Sequence, residues 1–196
     1  MPGLSFDDKV VLTLYKKFFG ENYPAPEELA HGGAPENLTD GHVKAQKMCY
    51  LLDLSGLRVG GYTYSWNTYG SFSPGLQAQL RRLDRLPADV SAYYGQDLSD
   101  SVLFANEGDE NIFWAEDQRC IHSLIAALCI PQNSGEARRW IELLGSMAYI
   151  SQNVFPHGEF EWVCDELVRR KPQYSNQEEN RRAWDVLYSA NLLSVH

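Results

Sequence analysis

Apolar and polar positions along most of this chain repeat with the period of an α-helix. The first such segment runs from Phe6 to Phe19 behind Ser5, which is placed as an N-cap. A second begins at Thr39 and Asp40 and ends at about Leu54. Further helices are expected at Ser73 to Pro87, Asp89 to Ala105, Glu110 to Leu128, Gly135 to Asn153, Glu159 to Arg170 and Asn176 to Leu193.

One segment shows the period of a strand instead. Over Gly61 to Trp66, aromatic residues alternate with small polar ones, which predicts a strand in a short hairpin or wing. Gly70 follows, and we expect it to permit a turn that Tyr69 and Phe72 seat on the core.

These patterns predict a mainly α fold. We expect a helical domain with a small β-hairpin or wing, and a C-terminal helical bundle. Residues 1–196 are expected to form a single domain, with a subdivision at residue 87 as the alternative: a winged-helix-like half, 1–87, and a helical half, 88–196. The connector from Gly20 to Leu38 is rich in Pro and Gly and is expected to be irregular.

Composition narrows the environment. The hydrophobic fraction is 44%, and the formal charge of −9 opposes non-specific binding to nucleic acid. The longest apolar stretch, Leu124 to Ile130, is too short for a membrane span, and the N-terminus lacks the pattern of a secretory signal. No C-x-x-C pair occurs among the four cysteines, so we expect buried, reduced thiols and a cytoplasmic protein.

No set of catalytic residues has the required spacing. His157-Gly158-Glu159 imitates the H-x-E of zinc deaminases, but the downstream P-C-x-x-C is missing. Cys120 and His122 are two positions apart on a predicted helix and therefore point in different directions. Phosphate-binding loops and other catalytic motifs are also absent, so we expect no enzyme, no cofactor and no metal.

The helix after Ser73 carries a polar stripe opposite its leucines. In a winged-helix reading this stripe would face the major groove, because Arg and Gln read base edges there. A solvated face is the alternative, since Asp84 interrupts the stripe. The candidate nucleic-acid-binding residues are Gln77, Arg81, Arg82 and Arg85.

Aromatic residues of the predicted wing are the candidates for contact with a partner protein. Aromatic side chains are enriched at interface hot spots but also dominate cores, so a purely structural turn is the alternative. The candidate partner-binding residues are Tyr62, Tyr64, Trp66, Tyr69 and Phe72.

Two further features leave their role open. Acidic residues gather between Asp97 and Asp117, where they could bind a divalent metal, attract a basic protein or mimic nucleic-acid phosphate, or form an ordinary solvated surface. Trp140, Trp162 and Trp184 lie beside basic pairs and could stack on bases, although core anchoring is the expected role.

Part of the chain resembles a known family. It carries QKMCYLL at Gln46–Leu52 and YSWNTYGSFS at Tyr64–Ser73, and a helix at Leu12 to Phe19 precedes them. This combination resembles the YwgA-like and Panacea (DUF4065, SocA-like) group of bacterial and phage proteins over roughly Leu12–Leu83. The resemblance implies a helical protein with a small wing that acts as an antitoxin or accessory factor, with no shared catalytic residues.

Three functions follow as hypotheses. The first is a non-enzymatic regulator that binds and neutralises or regulates a partner protein, such as a toxin or an enzyme. The second is a winged-helix DNA-binding transcriptional regulator, and the third is an acidic phage-type inhibitor of a nucleic-acid-processing enzyme. No membrane contact is expected, and a homodimer is an open alternative.

Overall fold

The structure, a computed structural model, describes residues 4–23, 38–57, 59–86 and 115–194. Its elements are α1 (Phe6–Phe19), α2 (Asp40–Leu54), β1 (Ser65–Asn67), β2 (Gly70–Phe72), α3 (Pro74–Leu83), α4 (Ala115–Leu128), α5 (Ser134–Asn153), α6 (Phe160–Arg170), a 3₁₀ turn (Pro172–Tyr174) and α7 (Gln177–Ser189). The predicted fold class, mainly helical with a small hairpin, is confirmed. The helix predicted at Asp89 to Ala105 lies outside the described residues.

The helix starts follow capping chemistry that the sequence encodes. At α1, the Ser5 hydroxyl accepts from the Asp8 backbone N–H at 3.2 Å, and the Asp8 carboxylate accepts from the Ser5 N–H at 3.1 Å. At α3, Ser73 caps the helix and Pro74 occupies its first turn. Each cap satisfies backbone N–H groups that have no partner inside the helix, which fixes where the helix begins.

Helices α2 and α5 form the centre of the molecule. Every residue of α2 from Gly41 to Leu52 is buried, because α1, α3, β2 and α5 all pack against it. Asp40 contacts Arg138 near both N-termini, and Tyr50 accepts a hydrogen bond from Asn153 near both C-termini. The two helices therefore run in the same direction.

The C-terminal half is built on α5 as well. Helices α6 and α7 pack against α5, and α4 packs against α7. The indole N–H of Trp140 donates to the carbonyl of Leu128 at 2.8 Å, which ties the end of α4 to α5. None of the helices in the described ranges has the length and apolar character needed to cross a membrane.

Both halves of the chain share one core. Buried apolar side chains from residues 10–83 and from residues 121–193 belong to a single packed cluster. The described parts of the two halves therefore pack together, and the single domain over residues 1–196 stays a prediction.

Candidate functional site: the hairpin and its buried support

The hairpin is shorter and later than the predicted strand. The sequence pattern placed a strand at Gly61 to Trp66, whereas β1 begins at Ser65 and pairs antiparallel with β2, so that Ser65 lies opposite Phe72. The period-two pattern itself is preserved, since exposure alternates from residue 61 to residue 66. The pairing starts late because α3 begins right after β2 and leaves residues 61–64 without a partner strand there.

A glycine makes the tight end of the hairpin. Gly70 has φ of +89°, a left-handed conformation that favours glycine, and a Cβ there would overlap the hydroxyl of Ser146 on α5. The backbone N–H of Tyr69 donates to the Asn67 side chain at 2.8 Å, which orders the loop. The hairpin is therefore seated directly on α5.

The structure brings the five candidate partner-binding residues onto this one hairpin. All are half-buried, and they are Tyr62, Tyr64, Trp66, Tyr69 and Phe72. Tyr62, Tyr64 and Trp66 pack against the core, whereas Thr63 and Ser65 between them are exposed. The surface of the hairpin thus combines the edges of aromatic rings with exposed hydroxyl groups.

A row of aromatic rings connects the hairpin to the central helices. The ring centroids of Tyr64 and Tyr50 are 4.9 Å apart, and those of Trp66 and Tyr149 are 5.6 Å apart. Tyr50 and Tyr149 are 6.0 Å apart, which closes the row. These separations are those of favourable aromatic pairs. Burial raises the pKa of Tyr50 and of Tyr64, so both phenols stay neutral at physiological pH.

Trp66 also contacts cationic groups at the end of α6. The Arg170 guanidinium lies 4.7 Å from the Trp66 ring centroid, and the Lys171 amine lies 5.8 Å from it. Arg169 and Arg170 both donate to the carboxylate of Glu166. These hydrogen bonds lower the pKa of Glu166 to about 2. Two arginines therefore share one carboxylate beside the hairpin.

Beneath the hairpin lies a buried charge cluster, formed by Lys47, Arg138, Glu142 and Lys171. The Lys47 side chain is fully buried, and its amine donates to the carbonyl oxygen of Ser71 in β2. Lys171 donates to Glu142 at 2.5 Å, and Arg138 lies 3.3 Å from the other oxygen of the same carboxylate. Three basic groups thus gather around one buried acid.

This arrangement shifts the titration of the lysines. Burial lowers the pKa of Lys47 well below its usual value, and the positive charge of Lys171 lowers it further. Burial also lowers the pKa of Lys171, while Glu142 acts in the opposite direction. Within the described chain, the hydroxyls of Ser71 and Ser146 beside this cluster are buried without a hydrogen-bond partner. The base of the hairpin is therefore both polar and basic.

The candidate nucleic-acid-binding stripe is corrected at one position. Gln77 is only 6% exposed, and its amide lies between Gln46 at 3.4 Å and His42 at 3.3 Å. Gln77 faces α2 because the buried polar side chains of α2 need hydrogen-bond partners. The spacing of the leucines in α3 does not indicate this contact. The exposed side chains are those of Arg81, Arg82 and Arg85, and Arg82 is 3.2 Å from Asp8.

Two expectations about burial were wrong in part. Cys49 and Cys164 are buried as predicted, but Cys120 and Cys129 are exposed. Trp140 and Trp184 are core residues, whereas Trp162 is 58% exposed. Each exposed residue lies on the outer side of a helix or just past its end, where the apolar pattern is interrupted.

The motifs set aside as chemistry lie on α4 and in the turn before α6. His122 and His157 are both exposed, and His157 has φ of +68° in the turn before α6. In the described ranges, no group of three or more His, Cys, Asp or Glu side chains is placed to hold a metal ion. The acidic residues from Asp97 to Glu110, and the side chains of Glu116 and Asp117, lie outside what the structure describes.

Sequence reasoning missed the buried basic groups. Lys44 and Lys47 lie on one helix, and Lys44 contacts Glu21 and donates to Ser134 at 2.9 Å. Lysine is normally exposed, so no local pattern indicated burial.

Comparison of this chain with protein-family models, with curated proteins and with solved structures gives no match. The resemblance to the YwgA-like and Panacea group therefore stays a prediction.

Proposed function

We propose that this protein is a non-enzymatic regulator that binds a partner protein through the hairpin, in the manner of an antitoxin or an accessory factor. The observation that carries the proposal is the chemical character of the hairpin surface, defined as the solvent-facing side of residues 61–72. No charged side chain occurs between residues 59 and 80, although the chain as a whole carries a formal charge of −9.

The hairpin surface has the composition of a protein-binding loop. Tyr and Trp supply large contact areas at a low entropic cost, while Ser, Thr, Asn and Gly supply adaptable hydrogen bonding, as in antibody loops. Here Thr63, Ser65 and Thr68 are exposed among half-buried aromatic residues. Interfaces are likewise depleted of charge at their centre.

The buried support makes this surface rigid before any partner arrives. The Lys47 amine donates to the Ser71 carbonyl of β2, and Trp66 contacts Tyr149, Arg170 and Lys171. A preorganised surface loses less conformational entropy on binding. The partner class, a toxin or a regulated enzyme, is what the family resemblance implies. A cytoplasmic location belongs to the same proposal, because all four cysteines are free thiols.

The test compares captured partners between matched variants. The tagged full-length protein is expressed in its native host as wild type, as the hairpin double variant Tyr69→Ala/Phe72→Ala, and as Tyr188→Ala. Tyr188 is a suitable control because it is 61% exposed on α7. Circular dichroism and thermal unfolding first establish that all three are folded, and nuclease treatment removes bridging by nucleic acid.

We expect one partner protein to be retained by the wild type and by Tyr188→Ala but lost from the hairpin variant. The proposal is wrong if the folded hairpin variant retains the same partners as the wild type. Turnover of a substrate by the purified protein would contradict the non-enzymatic role.

DNA binding through α3 is the second candidate, because Arg81 and Arg82 are exposed at the end of this helix and Arg85 is exposed in the turn that follows it. Fluorescence anisotropy with a duplex from the protein's own promoter region would test it. If these residues contact phosphates, Arg81→Ala/Arg85→Ala weakens binding and reduces its salt dependence. An unchanged salt dependence removes this candidate.

A further inference from the structure

The outer edge of β1 is open in the described part of the chain. Exposure alternates from residue 62 to residue 66, which is the pattern of an extended segment. Only Ser65, Trp66 and Asn67 pair with β2. Outside that pairing, the described residues make no backbone-to-backbone hydrogen bond to residues 62–67. The segment is therefore shaped as a strand but is paired along only part of one side.

This edge lacks the features that normally prevent strand addition. Exposed edge strands usually carry charged side chains, especially Lys, or a proline. Residues 59–73 contain neither a charged residue nor a proline. The exposed side chains along the edge, Thr63 and Ser65, are small and favour or tolerate a β conformation.

Charge at the end of the hairpin indicates what kind of segment fits. Arg170 stacks on Trp66, and Arg169 beside it has a side chain that is 68% exposed. The one carboxylate that they share is Glu166. In a chain with a formal charge of −9, this end of the hairpin is locally basic.

We propose that an extended, acidic segment of the partner protein adds to β1 as a third strand, with its carboxylates at Arg169 and Arg170. This inference rests on the proposed function and specifies the class of ligand. Main-chain hydrogen bonds to β1 provide affinity in such complexes, and alternate side chains provide specificity. A nucleic acid fits less well, because the open edge of β1 presents backbone N–H and C=O groups at the spacing of a peptide strand.

The experiment begins from a random peptide library displayed on phage and selected on the full-length protein. The best peptide is synthesised and its binding is measured by calorimetry to the wild type, to Arg169→Glu and to Arg181→Glu. Arg181 is the matched control, since its side chain is 50% exposed and it pairs with Glu161 on α6, the helix that carries Arg169. Hydrogen exchange then reports which amides the peptide protects.

We expect selected peptides rich in acidic and β-branched residues. Arg169→Glu should weaken binding about tenfold or more, as expected for a reversed charge at an interface, while Arg181→Glu should leave it unchanged. Alternate backbone amides within residues 62–67, those that point away from β2, should gain protection when the peptide binds.

Three results would overturn the strand addition: no selected peptide, peptides that are basic or helical, or binding without protection of residues 62–67. A single-stranded oligonucleotide that protects the same amides more strongly than the peptide would replace it with nucleic-acid binding. A partner lost from Tyr69→Ala/Phe72→Ala but giving no amide protection leaves the proposed function intact and removes only this inference.

Discussion

Lys47 is buried without a carboxylate of its own, and its amine is held by the Ser71 carbonyl. Its folded-state pKa lies well below the usual lysine value because of burial and the nearby Lys171. Between those two pKa values the unfolded chain binds more protons than the folded one, so stability rises with pH in that window. As pH falls through this window, protonation of the Lys47 amine favours the unfolded chain and the free energy of unfolding decreases.

Replacing Lys47 with Met should abolish this pH dependence. The free energy of unfolding of the wild type should rise between pH 7 and pH 8.5 relative to Lys47→Met, by up to about 1.4 kcal/mol per pH unit. Urea denaturation of both proteins at matched pH values measures the difference. Burial raises the pKa of the Cys49 thiol, so at higher pH this thiol ionises in the unfolded chain and lowers the stability of the fold. The measurement therefore stops at pH 8.5. Parallel pH profiles would show that Lys47 titrates normally.

The pair formed by Glu142 and Lys171 should behave differently when one or both partners are removed. Glu142→Gln leaves a buried ammonium without its counter-charge and should destabilise the fold by about 3–5 kcal/mol. The double variant Glu142→Met/Lys171→Met removes both charges and should recover most of that loss. Chemical denaturation of the single and double variants gives the coupling energy, and additive losses would contradict a paired role.

At the scale of elements, α5 contains two glycines that should respond in opposite directions to alanine. A Cβ at Gly145 would lie 2.8 Å from Cδ of Lys47, whose amine is already held by β2. Gly145→Ala should therefore destabilise the protein by about 1–3 kcal/mol through overpacking. A Cβ at Gly135 meets Asn133 at an ordinary 3.5 Å.

Gly135→Ala is the matched control on the same helix. It should stabilise the protein by about 0.4–1 kcal/mol, because alanine restricts the unfolded chain and fits a helical backbone. Thermal or chemical denaturation of the two variants gives both signs. Equal effects at the two positions would mean that the close contact with Lys47 relaxes easily.

Helix positions were predictable from the sequence because caps and apolar periodicity act locally. Phe6–Phe19 and Asp40–Leu54 agree with the predicted ranges, and Ser134–Asn153 begins one residue early. Strand β2 was not predicted as a strand, because three residues are too few to show a period of two. Its pairing also depends on packing against α5. The aromatic candidates of the hairpin could be found from the sequence because they alternate with small polar residues, the same pattern that predicted β1.

The supporting groups of the site could not be found this way. Lys171 meets Glu142 across 29 positions of sequence, and Lys47 meets Ser71 across 24. Their burial depends on tertiary packing, which a local pattern does not encode. For Gln77, exposure was predicted from its polar side chain, but the residue is buried because its amide contacts His42 and Gln46.

At the scale of the whole molecule, the contact between α2 and α5 makes the two halves of the chain depend on each other. The hairpin rests on both helices, and the buried charge cluster joins α2, α5 and the residue after α6. Unfolding of either half would expose this cluster without its partners. The described chain should therefore unfold as one cooperative unit.

This cooperativity gives the last prediction. Far-UV circular dichroism, which reports helices, and near-UV dichroism, which reports aromatic packing, should show the same midpoint in guanidinium chloride. Hydrogen exchange gives a sharper test, because amides of Leu51 in α2 and Leu143 in α5 should exchange only through global opening. Gly145→Ala acts at the interface between these helices, so it should reduce protection at both amides by the same free energy. A loss confined to one of them would instead mean that residues 1–87 and 88–196 open separately, and the hairpin would then belong to the less stable half.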